Sequence, residues 1–264
     1  MENRTLRSLR RAVGAASRSW EIYHENSKLT QFDIAPPGEW VVQEMERYTH
    51  SLDFRGRPEF KLPADLDPLQ LSLGESITQR VSTRKFSERA IAFRELATLL
   101  HYSYGINRTN EGTGFPRPFR NVPSGGALYP LDIFCCVRAV DGLSPGLYHF
   151  HPPSSSLRLL AEGDWTRQLS PIVVQQELSA AAVMLFIVAQ FERALFKYKD
   201  RGYRFVLLDA GHLAQNINLA STALGLGSVD IGGYFDRKAD DFVGVDGLLQ
   251  STIYMVAVGH KQAE

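Results

Sequence analysis

The sequence predicts an α+β fold whose central sheet is mainly antiparallel. Stretches with helical spacing of apolar residues and stretches of strand character are interspersed, without the regular βαβ rhythm of a parallel sheet. The strand candidates GLYHFH and LRLL are separated only by the turn sequence PPSSS, which is typical of a β-hairpin. Two further runs, LYPLDIFCCVRAV and AAVMLFIVAQ, are apolar enough to be buried strands.

The size and charge of the chain are those of an ordinary globular protein. Its 264 residues suit one large domain or two small ones. Its 29 Lys and Arg balance 29 Asp and Glu, so no net field favours nucleic acid or an anionic membrane. No apolar run reaches the length of a membrane span. The adjacent Cys135 and Cys136 should face opposite sides of a strand, so we expect no disulfide and a cytoplasmic protein.

Residues 1–65 are expected to form a helical arm over the main domain, residues 66–264. The arm would contain an arginine-rich helix over about the first 18 residues, preferred to a targeting peptide, and a helix from Glu39 to about His50. In the main domain SLGESITQR predicts a short helix and FRELATLLHYSYGI a longer one, followed by the Gly/Pro loop EGTGFPRPFRNVP.

The C-terminal half predicts two more helices and a last strand, STIYMVAVGH. WTRQLSPIVVQQELS should be helical up to a break near Pro171, and YRFVLLDAGHLAQNINLASTALGLG should form a long helix that ends at its glycines. His212, one turn after Asp209, is expected to be a hydrogen-bonded core histidine. The predicted core stripe of the long helix is Leu208, Leu213, Ile217, Ala220 and Leu224.

The first candidate for chemistry is RVSTRKF, in which Arg80, Ser82 and Arg84 alternate at a junction between helix and extended chain. Two guanidinium groups and a hydroxyl suit a phosphate, because a planar fork of donors matches phosphate oxygens. A solvated run of charges is the alternative that this pattern leaves open.

Two glycine pairs are the second candidate. Gly125-Gly126 and Gly232-Gly233 would let backbone N–H groups approach a planar ring, and with a phosphate site they describe a mononucleotide such as FMN. The sequence lacks a P-loop, a dinucleotide fingerprint and the GxSxG of serine hydrolases. His149 and His151 alternate on one strand without a third ligand at metal spacing, so no metal site is expected.

The third candidate is the charged segment FERALFKYKDRGYRF between a buried strand and the long helix. A lysine such as Lys197 can act as a base, and a tyrosine such as Tyr198 can relay a proton. An exposed loop without a function is the alternative.

Taken together, the motifs resemble a known family. RVSTRKF, VPSGGALYPLDIF, GLYHFHP, KYKDRGYRFVLLDAGHLAQNINLASTALGLG and IYMVAVG occur in the order seen in SagB-type dehydrogenases, the azoline-oxidising, McbC-like branch of the nitroreductase superfamily. The segment YHENSKL is also similar, and the resemblance covers roughly Tyr23 to Gly259.

The resemblance implies a homodimer that holds FMN at the subunit interface. It implies that Arg80, Ser82 and Arg84 bind the phosphate and ribityl chain, with Lys261 as a helper. The isoalloxazine would be lined by Pro123, Ser124, Gly125, Gly126, Gly232 and Gly233. Lys197 and Tyr198 would form the catalytic pair. The family's second basic residue of the phosphate motif is replaced here by Val81, which thins the charge at that site.

The activity that the resemblance implies is FMN-dependent oxidation of thiazoline or oxazoline rings to azoles. The substrate would be a heterocyclised peptide, made on the ribosome or tethered to a carrier protein, and presented by a cyclodehydratase or an assembly line. Two alternatives stay open: a general NAD(P)H-dependent FMN reductase of nitro compounds or quinones, and a non-catalytic subunit that scaffolds a biosynthetic complex.

Overall fold

The computed structural model describes residues 18–48, 51–112 and 116–262. The strands in these ranges are β1 (Glu59–Lys61), β2 (Ile91–Ala92), β3 (Ile106–Thr109), β4 (Pro118–Arg120), β5 (Leu131–Val137), β6 (Val140–Asp141), β7 (Gly146–His151), β8 (Ser156–Glu162), β9 (Val183–Gln190), β10 (Gly227–Ile231) and β11 (Gln250–Gly259). Seven of them form one sheet in the order β1-β8-β7-β5-β9-β11-β10, and every neighbouring pair is antiparallel. The predicted α+β class is therefore confirmed.

The helices lie on both faces of this sheet. They are α1 (Ser19–Asn26), α2 (Gly38–Arg47), α3 (Leu73–Gln79), α4 (Phe93–Tyr104), α5 (Thr166–Leu169), α6 (Glu192–Tyr198), α7 (Asp200–Ala223) and α8 (Asp236–Val243). Among the described residues, no helix is both long and apolar enough to cross a membrane. The basic helix predicted for about the first 18 residues falls almost entirely outside the described residues.

Alternate residues of β5 enter two separate hydrophobic clusters. Cys135 packs in the cluster that includes residues of α4 and α7, whereas Cys136 packs in the cluster that includes residues of α8. Both thiols are free and buried, as their adjacent positions in a strand predict. The sheet is thus covered on both faces, and α7 is the long helix of one of them.

Local sequence explains where several helices begin and end. Ser72 and Glu75 form a reciprocal capping box at the start of α3. The helix α4 stops at Gly105, where a Cβ atom would lie 2.5 Å from the carbonyl oxygen of His101. The chain turns out of α7 through Gly225, whose φ of +74° favours glycine.

Three expectations need correction. His212 is exposed rather than buried, and Leu208 keeps 58% of its surface exposed, because both lie on the outer face of α7. The helix predicted before Pro171 is only the four residues of α5. β1, which lies within residues 1–65, is an edge strand of the main sheet and pairs with β8.

Candidate functional site

The loop from Pro123 to Ala127 runs into β5 through an unusual backbone. Gly126 has a φ of +65°, and the non-glycine residues Ala127 and Tyr129 have φ values of +51° and +45°. The Ser124 hydroxyl accepts a hydrogen bond of 2.9 Å from the backbone N–H of Tyr129. Left-handed conformations at non-glycine residues carry strain and cluster at functional sites, so this loop is a candidate for function.

Lys197 and Tyr198 meet this loop at Gly126. A Cβ atom built on Gly126 would lie 2.6 Å from the Tyr198 hydroxyl and 3.0 Å from Lys197 Nζ. The two residues form the end of α6, after which Lys199 leaves the helix with a φ of +50°. They are half-buried on a helix rather than exposed in a loop. The structure therefore brings the predicted catalytic pair onto one of the predicted flavin-lining glycines.

Aromatic packing accounts for the other glycine of the pair. A Cβ atom on Gly125 would lie 3.2 Å from the ring of Phe205 on α7. Phe205 in turn packs edge-on against Tyr198, with ring centroids 4.8 Å apart. Close side chains of the same chain thus favour glycine at both positions, a reason that the sequence did not reveal.

A buried carboxylate lies beneath the loop. Asp209 of α7 is 5% exposed and accepts hydrogen bonds from the Ser124 hydroxyl and the Gly125 amide. Burial raises the pKa of Asp209 to about 6, and the two hydrogen bonds only partly oppose it. The sequence shows Asp209 one helical turn before His212 and does not reveal this burial under the loop. The available signal was an acidic residue beside the apolar stripe of α7.

The predicted phosphate residues gather at another place, beside β10. Ser82 forms a parallel bridge with Ser228, and the backbone N–H of Thr83 donates to the Ser228 carbonyl at 2.9 Å. Lys261 pairs with Phe86 in an antiparallel bridge, which brings the C-terminal segment alongside the chain that follows Arg84.

Arg80 completes this basic group at the end of α3, next to β10. Burial raises the pKa of Asp230 on β10, and the hydrogen bonds of Asn218 and the charge of Arg80 oppose that rise. Arg84 is exposed and donates a long hydrogen bond of 3.5 Å to the Ser82 carbonyl. The guanidinium groups of Arg80 and Arg84 are therefore available to bind an anion from outside the chain.

Gly232 and Gly233 follow β10 and are exposed. A Cβ atom on Gly232 would meet nothing within 4 Å, and the Gly233 carbonyl accepts a hydrogen bond from Val174 at 2.8 Å. They do not lie beside the first glycine pair. β9 and β11 lie between β10 and β5, so β10 and β5 are about 14 Å apart at ordinary strand spacing. The predicted site residues form two groups, one at Gly126 and one beside β10.

A cavity of about 300 Å³ opens beside the predicted catalytic pair. Lys197 and Tyr198 form one side, and apolar residues from the segment before α2 form the other, among them Leu29, Ile34 and Pro36. Such a space can hold a small ring against the amine and the hydroxyl. Among the described residues, no cluster of His, Cys, Asp or Glu could hold a metal ion.

Residues 77–260 match the model of the nitroreductase family. The chain belongs to the nitroreductase family. Members of this family typically bind FMN, and membership indicates an oxidoreductase. The basic group beside β10 fits a phosphate, and the bare backbone at Gly232 leaves room for a ring, so the residues present fit this cofactor.

Two individual proteins are similar in sequence to this chain. A protein of Methanocaldococcus jannaschii, provisionally named nitroreductase MJ1384, is 33% identical over 204 residues, which are 77% of this chain and 96% of that protein. The microcin B17-processing protein McbC of Escherichia coli is 34% identical over 134 residues, which are 48% of this chain and 49% of McbC.

One solved structure with a similar fold is a chain of a protein complex. A chain of the E. coli microcin synthetase McbBCD complex, solved with truncated pro-MccB17 bound, has a TM-score of 0.61 and 23% identity. The likeness covers 92% of each chain and, at this identity, shows a shared fold.

The raised pKa of Asp209 predicts how stability varies with pH. Its pKa is about 6 in the folded chain against an ordinary value of 3.8, so ionisation weakens the fold as pH rises from about 4 to 6. Asp209→Asn should remove this slope and raise the free energy of unfolding at pH 7 by about 1–3 kcal/mol. Urea denaturation across this range measures it. Asp241→Asn, an exposed control on α8, should keep the slope; an unchanged slope in Asp209→Asn would contradict the assignment.

Proposed function

We propose that this nitroreductase-family protein oxidises thiazoline or oxazoline rings to azoles in a heterocyclised peptide, with FMN as cofactor. The observation that carries the proposal is the meeting of the Lys197 amine and the Tyr198 hydroxyl at Gly126. The partial identity with McbC, a protein named for microcin B17 processing, supports a peptide as substrate. The sequence resemblance to azoline dehydrogenases supports the same pair in the same role.

The reaction takes one proton and one hydride from adjacent ring carbons and leaves an aromatic ring. FMN, when bound, supplies the two-electron acceptor for the hydride. In the proposal Lys197 acts as the base that takes the proton from the ring α-carbon, and the Tyr198 hydroxyl positions or relays that proton. Lys197 Nζ lies 5.2 Å from the centre of the Tyr198 ring, so both groups can reach one substrate ring. The cavity of about 300 Å³ beside them would admit that ring.

FMN would be held by residues of the basic group beside β10. Arg80, Ser82 and Arg84, with help from Lys261, would bind the phosphate through charge-assisted hydrogen bonds. In the proposal, Pro123 to Gly126 and the pair Gly232-Gly233 line the isoalloxazine. Because the two groups of residues are separated within one chain, each would contribute to a different side of the cofactor site.

A homodimer would unite the two groups. The outer face of α7 exposes Tyr203, Leu207 and Leu208, which retain 38%, 42% and 58% of their surface, and beside them a Cβ atom on Gly211 would meet nothing within 4 Å. We expect this apolar face to be buried between two copies.

Light scattering tests the homodimer: the protein should have the mass of two chains, and Leu208→Glu should dissociate it. Leu248→Glu, at a residue 75% exposed elsewhere, should not.

The relative from M. jannaschii favours a second candidate, an FMN reductase of nitro compounds or quinones. This activity would draw its electrons from NAD(P)H and would not need Lys197 as a base. Anaerobic addition of NADPH distinguishes the two, since only the second candidate predicts rapid bleaching of the flavin.

The cofactor proposal predicts a yellow protein that releases FMN, and not FAD, on denaturation. Arg84→Ala should weaken FMN binding by about tenfold or more, because it removes a charge-assisted phosphate contact. Fluorescence of released flavin measures the dissociation constant. Arg57→Gln, which removes an exposed arginine far from β10 in the sequence, should bind as the parent does. A colourless protein that cannot be reconstituted with FMN would refute the proposal.

The catalytic proposal predicts that substitutions of Lys197 and Tyr198 slow the reaction without weakening FMN binding. Lys197→Ala and Tyr198→Phe should keep FMN but slow its reduction by an azoline peptide roughly 10²-fold, in anaerobic single-turnover experiments. Gly126→Ala should slow it too, because the new methyl group displaces both side chains.

The control for Gly126→Ala is Gly56→Ala. Gly56 also has a positive φ, of +81°, but a Cβ atom there would meet nothing within 4 Å. Gly56→Ala should therefore carry a similar backbone strain and leave the rate unchanged. If the Lys197 and Tyr198 variants reduce their flavin as fast as the parent, the catalytic assignment is wrong.

A further inference from the structure

A second cavity, of about 570 Å³, lies beside the Pro123–Gly126 loop. Pro123, Ser124 and Gly126 line it, together with residues of the hairpin of β3 and β4. Lys197 and Tyr198, which line the smaller cavity, approach the same Gly126. A molecule in the larger cavity would therefore lie against the Gly126 backbone, which the proposed catalytic pair also approaches.

The hairpin brings two arginines to this cavity. Arg108 on β3 and Arg117, just before β4, both lie over the ring of Phe119, at 4.6 Å and 5.9 Å from its centre. The buried Nε of Arg117 has no hydrogen-bond partner among the described residues. Its Nη1 donates to the Met45 sulfur at 3.3 Å, a weak acceptor.

No carboxylate neutralises these two charges within the described part of the chain. Neither arginine forms an ion pair there, and none of the described residues that line the cavity is Asp or Glu. Arg120 adds a third positive charge but is held between the rings of Tyr104 and Tyr129. A buried donor without a partner is costly, and guanidinium forks match carboxylate and phosphate oxygens.

We propose that this arginine-lined cavity binds an anionic group, a carboxylate or a phosphate, on the molecule that meets Lys197 and Tyr198. The identity of that molecule rests on the proposed function, whereas recognition of its charge does not. For a peptide substrate the group would be an acidic side chain near the heterocycle. For a nicotinamide donor it would be a phosphate.

The test measures binding to the FMN-loaded protein without turnover. Isothermal titration would compare two thiazole hexapeptides, already at the oxidised level, that differ only by Asp or Asn beside the ring, and would also compare NADPH with NADH. The parent should bind the more anionic member of one pair about tenfold more tightly, as a charge-assisted hydrogen bond predicts. High salt should reduce that preference.

The variant Arg108→Gln/Arg117→Gln should lose the preference, and Arg57→Gln should keep it. Arg108→Gln alone, at an exposed position, guards against misfolding of the double variant and should lose part of the preference. A peptide preference assigns a carboxylate, and an NADPH preference assigns a phosphate. The assay measures binding and oxidises no ring. Its result can therefore be interpreted even if the protein does not oxidise azolines.

Two results would overturn the proposal. One is a parent protein that distinguishes neither pair, or folded arginine variants that distinguish them as well as the parent does. The other is loss of FMN from the double variant to the extent expected for Arg84→Ala, which would assign the cavity to the cofactor.

Discussion

One buried carboxylate, Asp132 at the start of β5, joins the elements that make the site. Its Oδ1 accepts hydrogen bonds from the Ser51 hydroxyl at 2.9 Å and from His149 at 3.1 Å, and its Oδ2 lies 3.0 Å from a nitrogen of Arg193. Burial alone would raise the pKa of Asp132, but the charge of Arg193 and the bond from His149 outweigh it and hold that pKa below its usual range. Removing one partner of such a buried pair costs about 3–5 kcal/mol.

This ion pair explains why Lys197 and Gly126 meet. Asp132 follows the Pro123–Ala127 loop at the start of β5, and Arg193 lies one helical turn before Lys197 on α6. A helix of seven residues has little stability of its own, so its position depends on such tertiary contacts. The loop and the helix are thereby fixed to one point, and the amine and the hydroxyl are held against the Gly126 backbone.

The sequence predicts the elements better than it predicts what brings them together. Strand pairing and the faces of Cys135 and Cys136 follow from patterns of a few residues, and the structure confirms them. The approach of Tyr198 to Gly126 depends on contacts between segments distant in the chain, which no local pattern encodes. Asp209 and His212 show the limit: one helical turn separates them, and only the packing of α7 shows that Asp209 is the buried one.

Side chains of opposite charge surround the Pro123–Gly126 loop. Beneath the loop, Asp209 is buried with an oxygen that lacks a hydrogen-bond partner among the described residues, and its raised pKa favours the neutral form below about pH 6. On the open side, Arg108 and Arg117 have no carboxylate partner there. The loop that carries Gly126 thus contacts a buried acid through Ser124 and Gly125, whereas the cavity that it lines presents two basic side chains without a carboxylate.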